Sequence, residues 1–303
     1  MKVPLYLLLS VYFCVGKAPL AAGSLSYVVL QDSDRDSLVR VSANGKQTAT
    51  IASGVGGVDL TLDRVGNYVV AARSALKRVT PSGVVTTIAN APAGSEWIAV
   101  VADSTGNLLA ADDLKHIIWR ISEDGQSVTE LVRYPGKFAL GGSDLGLTID
   151  KTGDCLLMRV GDDNAPHLYR ISPTGSISPI PLRGAVGPPV RGFRAPWGHP
   201  VAVSGGPLVP DGSGNYFFLD DSATRNIFRL TADGRVTKFS QLKGVTCCVK
   251  GLARNPETGE LIIADVFRLL RVPPDGSETA KFSNDPKLRS ITAVVVEGGE
   301  VGR

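Results

Sequence analysis

The sequence predicts an all-β fold, a six-bladed β-propeller with four antiparallel strands in each blade. Three observations predict it. A short phrase built around an arginine recurs six times, other strand-like phrases flank each copy in the same order, and the two chain ends supply complementary parts of one repeat. A repeat of about 40 residues that holds four strands is typical of a propeller blade. No stretch keeps a helical period over about ten residues, which argues against an α/β fold.

The arginine phrase is exemplified by HLYRISPTG at 167–175, where apolar residues flank an arginine and a turn follows. Its six arginines are Arg40, Arg78, Arg120, Arg170, Arg229 and Arg271. Arginine stems cover apolar surface while their heads pair with charged or polar groups. We therefore expect these arginines to belong to the scaffold, where they pair with neighbouring carboxylates or carbonyls, and we do not expect a six-fold binding site.

Three further phrases complete each repeat. A β-rich run such as GNYVVAAR (66–73) precedes the arginine phrase, and a short strand closed by a turn, such as VDLTLDRVGN (58–67), precedes that run. A last strand such as VVTTIAN (84–90) follows the arginine phrase. Gly-Asn, Asp-Gly and Ser-Gly pairs at the junctions favour tight hairpin turns. Each repeat thus predicts four short strands joined by hairpins.

The first repeat lacks its first strand. Residues 25–52 supply only the later strands, and ITAVVVEGG at 291–299 supplies the missing one at the other end of the chain. Because an open ring would leave sheet edges unpaired, we expect the C-terminal strand to join the N-terminal blade and close the ring. The alternative is an open β-solenoid. Residues 23–303 are accordingly predicted to form a single domain.

Residues 1–22 predict a secretory signal peptide. Lys2 gives a positive start, VPLYLLLSVYFCVG (3–16) is an apolar run of signal-peptide length, and APLAAGS (18–24) offers small residues for cleavage after Ala22. The alternative is an uncleaved membrane anchor, although the run is short for a membrane span. We expect a secreted or periplasmic protein with no membrane association after cleavage.

Three cysteines remain after the signal segment: Cys155, Cys247 and Cys248. An odd number does not make a disulfide framework, and no Cys-x-x-Cys pair indicates a structural zinc site. Since Cys247 and Cys248 are adjacent, they are either two thiols or a strained vicinal disulfide.

Composition restricts the function classes. Hydrophobic residues make up 43% and charged residues 20% of the chain, an ordinary globular composition. The net charge is only +3, and no basic stripe interleaved with aromatic residues is present. We therefore expect no nucleic-acid partner, and we expect a monomer.

Two segments carry a resemblance to a known superfamily. GLTIDKTGDCLLMRV (146–160) with HLYRISPTG, and IAVVADSTGNLLAADDLKHIIWRISEDG (98–125), resemble the NHL-repeat propellers and the larger gluconolactonase, or senescence-marker-protein, superfamily. The resemblance covers nearly all of the chain after the signal segment. It implies a channel face, formed by the loops that enter the first strand and join the second strand to the third, on which ligands and metals bind. The superfamily includes lactonases, streptogramin lyases, amidating lyases and binding modules, so the function stays open.

The resemblance draws attention to the slot two residues before each first strand. Counting back from the second strand places Gly57, Glu96, Asp144, Gly205 and Val249 there and leaves one blade unassigned. Glu96 and Asp144, from adjacent blades, are candidate metal ligands, since a divalent cation such as calcium binds carboxylate oxygens. The same two are candidate catalytic acids or bases. The other residues depart from the acidic and amide set that lactonases use, which leaves solvated rim residues as the alternative.

Two features that follow the repeat are expected to be structural. The sequence places His116 and His167 at equivalent positions near the start of the third strand, where Asn226 stands in the next blade. Aspartates end four of the second strands, at Asp32, Asp112, Asp221 and Asp265. Aspartate side chains cap turns by accepting hydrogen bonds from backbone N–H groups, which explains the recurrence without chemistry.

The longest departure from the repeat is RGAVGPPVRGFRAPWGHPVAVSGG at 183–206. It joins the fourth strand of one blade to the first strand of the next, so we expect it on the channel face, where long loops commonly act as lids or binding loops. Arg191, Arg194, Trp197 and His199 are candidate ligand-binding residues, because arginine and tryptophan suit carboxylate, phosphate, sugar or aromatic groups. The alternative is a surface insertion whose aromatic residues pack on one another.

The sequence supports two functions. The first is an exported propeller that binds a small molecule, a polymer or a protein on its channel face. The second is a metal-dependent hydrolase or lyase in which Glu96 and Asp144 hold the cation while His199 or an arginine assists. The first requires only the scaffold and the 183–206 loop, and we favour it.

Overall fold

Six antiparallel sheets make up the fold. The structure is a computed structural model that describes residues 25–32, 36–135, 145–160, 166–184, 207–219, 225–245 and 249–298. Its 24 strands form six four-stranded sheets, arranged as a six-bladed β-propeller. These described ranges contain no helix, and therefore none long and apolar enough to cross a membrane. The predicted fold class is confirmed.

The strands follow the chain through the blades in order. Blade 1 holds β1 (Ser26–Gln31), β2 (Ser37–Ser42) and β3 (Thr48–Ser53); blade 2 holds β4 (Asp59–Leu62), β5 (Tyr68–Ala71), β6 (Ala75–Val79) and β7 (Val85–Asn90). Blade 3 holds β8 (Trp97–Ala102), β9 (Leu108–Asp112), β10 (Ile117–Ile121) and β11 (Val128–Arg133); blade 4 holds β12 (Leu145–Ile149), β13 (Cys155–Val160), β14 (Pro166–Ile171) and β15 (Ile177–Ile180). Blade 5 holds β16 (Val209–Pro210), β17 (Tyr216–Leu219), β18 (Asn226–Leu230) and β19 (Val236–Gln241); blade 6 holds β20 (Val249–Arg254), β21 (Leu261–Asp265), β22 (Arg268–Val272) and β23 (Ala280–Ser283). The last strand, β24 (Ile291–Glu297), returns to blade 1.

Antiparallel pairing divides the connections between two faces. The first strand of each blade is innermost and lines the channel. The connections into the first strand and from the second strand to the third lie at one end of the blades, which is the channel face. The tight turns from the first strand to the second and from the third to the fourth lie at the other end, the opposite face.

The C-terminal strand closes the ring as expected. β24 pairs with β1 from Ser26 opposite Glu297 to Gln31 opposite Ile291, with a bulge near the channel face. Glu297 also ties the closing blade together, since its carboxylate accepts hydrogen bonds from Arg40 Nε at 2.5 Å and Nη2 at 2.6 Å, and from Tyr68 Oη of blade 2 at 2.5 Å. Burial opposes ionisation of Glu297, but the hydrogen bonds from Arg40, Ser26 and Tyr68 outweigh it and lower its pKa.

The repeated arginines belong to the scaffold. Three of them pair with the aspartate that opens the turn after the first strand of the same blade: Arg78–Asp63 (3.1 Å), Arg170–Asp150 (2.7 Å) and Arg229–Asp211 (2.6 Å). Asp63 shows how this aspartate also shapes its turn, because its carboxylate accepts the backbone N–H groups of Val65 and Asn67. Arg120 instead donates to the carbonyl of Pro173 in the next blade. The expected pairing with carboxylates and carbonyls is confirmed.

The core lies between neighbouring blades. Between blades 2 and 3, Val69 and Leu76 pack with Trp97 and Val100, and all four are buried. Similar apolar clusters join the other described blade pairs, for example blade 1 to blade 2. Because every blade buries its apolar faces against two neighbours, the inner strands are held at fixed positions around the channel.

Candidate functional site on the channel face

One backbone position on the channel face carries a different side chain in each blade. It is the residue that immediately precedes the third strand, and we call it the corner. The structure describes this position in five blades. The corner residues there are Asp36, Ser74, His116, Arg225 and Phe267. In four of them the corner carbonyl accepts an N–H group near the end of the same blade's fourth strand: Asp36 from Val55, Ser74 from Ala91, His116 from Tyr134 and Arg225 from Leu242.

Three corners hold a backbone conformation that L-residues rarely adopt. The φ angles are +40° at Asp36, +54° at His116 and +46° at Arg225. Glycine would suit this left-handed region best, and non-glycine residues there are uncommon. These three corners thus keep residues with side chains although their backbone conformation favours glycine.

His116 and His167 are not structurally equivalent, which corrects the sequence alignment. His167 lies inside β14 opposite Arg159, where blade 3 has Ile117 opposite Asp112. His116 is one position earlier, at the corner. Its ring stacks on Tyr134 with a centroid distance of 5.5 Å, and its Nε2 atom is buried without a hydrogen-bond partner.

Glu96 forms an ion pair between two blades. Its carboxylate contacts Arg73, which follows β5 in blade 2, and its backbone N–H lies 3.2 Å from the Asp112 carboxylate. The slot alignment needs correction, because the turn before β21 (255–260) is one residue longer than the turn before β9 (103–107): Val249 lies inside β20 opposite Asp265, just as Trp97 lies opposite Asp112. Val249 therefore corresponds to Trp97 and not to Glu96.

The slot residue left unassigned in the sequence is Ser290. Its carbonyl accepts the Asp32 N–H at 3.0 Å, as the Glu96 carbonyl accepts the Asp113 N–H at 3.2 Å. Asp144, the other candidate metal ligand, lies outside the described residues. Among the residues that the structure describes, no group of three His, Cys, Asp or Glu side chains is placed to hold a metal ion.

Two aspartates at second-strand ends cap turns as expected. The Asp112 carboxylate accepts the N–H groups of Leu114 and Lys115, both at 3.1 Å, and Asp265 accepts those of Phe267 and Arg268 at 2.8 and 3.1 Å. These bonds hold the corners at Phe267 and next to His116 in place.

In blade 1 the capping position belongs to Gln31 and not to Asp32. The Gln31 amide donates to the carbonyls of Lys287 and Arg289 and accepts the Ser37 hydroxyl. Asp221 lies outside the described residues, as do Arg191, Arg194, Trp197 and His199 and the adjacent Cys247 and Cys248.

A buried arginine occupies the same strand-end position in blade 4. Arg159 is 3% exposed, donates to the carbonyl of Pro135 at 3.1 Å, and lies 5.2 Å above the ring of Tyr134. Tyr134 donates its hydroxyl to the Asp112 carbonyl at 2.9 Å, and burial together with the charge of Asp113 raises its pKa. The cluster joins blades 3 and 4 beside the His116 corner. Sequence reasoning missed it, because Tyr134 and Arg159 come from different repeats.

A carboxyl group in the channel wall also escaped the sequence analysis. Asp59 begins β4, and its Oδ2 atom accepts the N–H of Val100 on the next blade's inner strand at 2.8 Å. Burial raises the pKa of Asp59 to about 6, against hydrogen bonds from Val100 and Leu60 that lower it. The available signal was an acidic residue at the start of VDLTL, where the first strands IAVVA and LGLTI carry alanine and glycine.

Comparisons with known proteins identify the fold and not a family. No protein-family model matches the chain, and no curated protein matches it. A chain from a nidogen–laminin complex superposes with a TM-score of 0.67 and 12% identity over 90% of this chain and 98% of that one. Virginiamycin B lyase from Staphylococcus aureus superposes with a TM-score of 0.54 and 14% identity over 86% of this chain and 74% of that one. Regucalcin, a calcium-binding protein from Agrobacterium tumefaciens, superposes with a TM-score of 0.53 and 12% identity over 75% of this chain and 74% of that one. At such low identities the superpositions show a shared six-bladed propeller fold alone. Proteins of both binding and lyase type have this fold.

Proposed function

We propose that this protein is an exported propeller that binds a ligand on its channel face. The observation that carries the proposal is the corner position. In the five blades where it is described, the position before the third strand presents a carboxylate, a hydroxyl, an imidazole, a guanidinium and an aromatic ring. On the opposite face, by contrast, three blades repeat the same ion pair between an arginine and an aspartate.

Differing chemistry on a fixed frame is what recognition of an asymmetric ligand requires. A ligand that is polar in one part and apolar in another needs matching groups at defined places, and a rigid scaffold supplies them at low entropic cost. Phe267 is 59% exposed, an uncommon state for a phenylalanine, and it offers the apolar contact. The retention of strained conformations at three corners supports a role for these side chains beyond folding.

The metal-dependent hydrolase or lyase is the alternative. It needs Glu96 and Asp144 as ligands and His199 or an arginine as a helper. The Glu96 carboxylate already pairs with Arg73, and a cation at this site would have to displace that guanidinium. This competition favours binding over metal-dependent catalysis.

Thermal shift of the purified protein tests the proposal. The panel holds monosaccharides, amino acids, nucleotides, carboxylic acids and alkyl amines, assayed on the wild type, His116→Ala, Phe267→Ala and Val84→Ala. Val84 is a matched control, since it is 58% exposed and lies in a turn on the opposite face. We expect at least one class to stabilise the wild type and Val84→Ala but to lose most of its effect in the two corner variants. A panel without effect, or equal effects in all four proteins, contradicts the proposal.

Metal analysis and calcium-dependent thermal shift test the alternative. They are run on the wild type, Glu96→Ala and Asp144→Ala. Bound metal that both substitutions remove would favour the enzyme and count against simple binding. Replacement of residues 184–204 by a short linker tests the loop, because binding that survives the replacement unchanged removes Arg191, Arg194, Trp197 and His199 from the site.

A further inference from the structure

Asp59 is the one ionisable residue at its level of the channel wall in the blades whose pairing is described. The residues equivalent to it are Ala99, Gly146 and Gly251, each opposite the fourth residue of its second strand, and Ala293, opposite Leu30 of β1. At Gly251 an added Cβ would lie 3.0 Å from Val294 N, the same relation that Asp59 has to Val100 N. Side chains at this level therefore point at the inner edge of the next blade, and among the blades whose pairing is described only blade 2 places a carboxylate there.

No described cation neutralises this carboxylate. The elements packed against β4 are β5, β8 and β24. β8 carries no ionisable side chain, and the groups on the other two strands are Tyr68 and Glu297, which bond each other and Arg40 at the opposite end of the strands. The hydrogen bonds that Asp59 does receive come from backbone N–H groups. The Asp59 side chain is partly buried. A carboxylate withdrawn from water without a cation destabilises the fold, which favours a cation that arrives from outside.

The chain that leads into β4 from the channel face contains two glycines. Gly56 and Gly57 precede Asp59 and are separated from it by Val58. Gly56 has φ +45°, and a Cβ on Gly57 would lie 2.3 Å from Val70 Cγ1, so a larger residue at either position requires a local rearrangement. These glycines allow the chain to lie close to β5, and they contribute no side chain at the entry to β4.

We propose that the Asp59 carboxylate binds the primary ammonium group of an alkyl ammonium ligand that enters the channel from the channel face. This inference rests on the proposed function and names the ligand class for it. Calcium fits the site poorly, because it needs six to eight oxygen ligands whereas one carboxylate is present. An ammonium group needs few acceptors. Besides Asp59 it finds the carbonyls on the inner edges of β4 and β8, and its alkyl stem contacts the apolar wall.

The test measures binding of n-butylammonium chloride by calorimetry and thermal shift at pH 7.5. The neutral analogue n-butanol and calcium chloride serve as comparison ligands. The variants are Asp59→Asn, which keeps an acceptor for the Val100 N–H, and Glu257→Gln, which removes an exposed carboxylate from the opposite face. We expect n-butylammonium to raise the Tm of the wild type and Glu257→Gln by about 3 °C at ten times its Kd, and to leave Asp59→Asn unchanged.

A second readout separates a charge effect from general destabilisation. Because the Asp59 carboxyl titrates at about 6, the affinity for n-butylammonium should fall about fourfold from pH 7.5 to pH 5.5. Equal binding to wild type and Asp59→Asn, a response to calcium or n-butanol alone, or affinity independent of pH would each overturn the inference. Corner-dependent binding of another panel compound, combined with no effect of Asp59→Asn, would overturn it while leaving the proposed function intact.

Discussion

Replacement of Glu297 by alanine should loosen the closed ring measurably. Glu297 lies at the end of β24 and holds Arg40 through two charge-assisted hydrogen bonds while accepting the Tyr68 hydroxyl. Arg40 and Glu297 are 20% and 22% exposed, so the pair is largely shielded from solvent. Breaking a fully buried pair costs about 3–5 kcal/mol, and partial exposure lowers the expected loss to about 2–3 kcal/mol. For a chain of this size that corresponds to a fall in Tm of about 6 °C.

The assay is thermal and urea denaturation of the wild type, Glu297→Ala and the control Glu278→Ala. Glu278 pairs with Lys243 in an ion pair whose side chains are 75% and 72% exposed, so its loss should change stability by less than about 0.5 kcal/mol. The Glu297 pKa is lowered from its ordinary 4.5, so its contribution is complete above pH 4.5 and disappears as the pH falls through the lower folded pKa. Equal losses in the two variants at pH 7, or a Glu297 effect that grows in acid, would refute the reasoning.

Three further predictions concern single residues. Asp59→Asn should stabilise the protein at pH 7.5 by about 1–3 kcal/mol. The folded pKa of about 6 exceeds the ordinary 3.8, so ionisation of Asp59 destabilises the wild type above pH 6, and this penalty vanishes as the pH falls towards 4. Thermal denaturation at pH 7.5 and 4.5 checks the prediction, and an Asn variant that is less stable than the wild type at pH 7.5 contradicts it. His116→Gly should be more stable in urea than His116→Ala by about 1 kcal/mol, since φ is +54° there, and the reverse order would count against backbone strain. Cys155 is 2% exposed and burial raises its pKa, so iodoacetamide should alkylate it only after unfolding, as mass spectrometry will show; rapid labelling of the native protein would disprove this.

The repeat made the scaffold predictable from the sequence. The strands have alternating or β-branched residues, the turns contain glycine, and the arginine phrase marks the third strand of each blade. Local patterns were therefore sufficient to count the blades. The partner of Arg170 was predictable in kind, because the aspartate that opens the preceding turn also recurs. Ring closure followed from the missing strand, since β1 needs a partner at its inner edge.

The channel face was less predictable, for two physical reasons. The turn from β20 to β21 is one residue longer than the turn from β8 to β9 and leaves no mark in the hydrophobic pattern, so counting back from the second strand placed Val249 at the position of Glu96. The second reason is distance along the chain. Asp59 receives its hydrogen bond from Val100, and Arg159 stacks on Tyr134, through contacts between blades that no local pattern records. The repeat located the loops that form the channel face, and the individual side-chain contacts needed the structure.

The closing strand also fixes an order of events during synthesis. β24 follows every other strand in the chain, so a growing chain carries β1 with a bare inner edge until Ile291–Glu297 has emerged. During that time the N–H and C=O groups of β1 are available to any other strand, and the apolar residues Val29 and Leu269, which pack together in the finished ring, have no complete cover. The chain is therefore exposed to aggregation until β24 has docked, and the speed of that docking sets how long the exposure lasts.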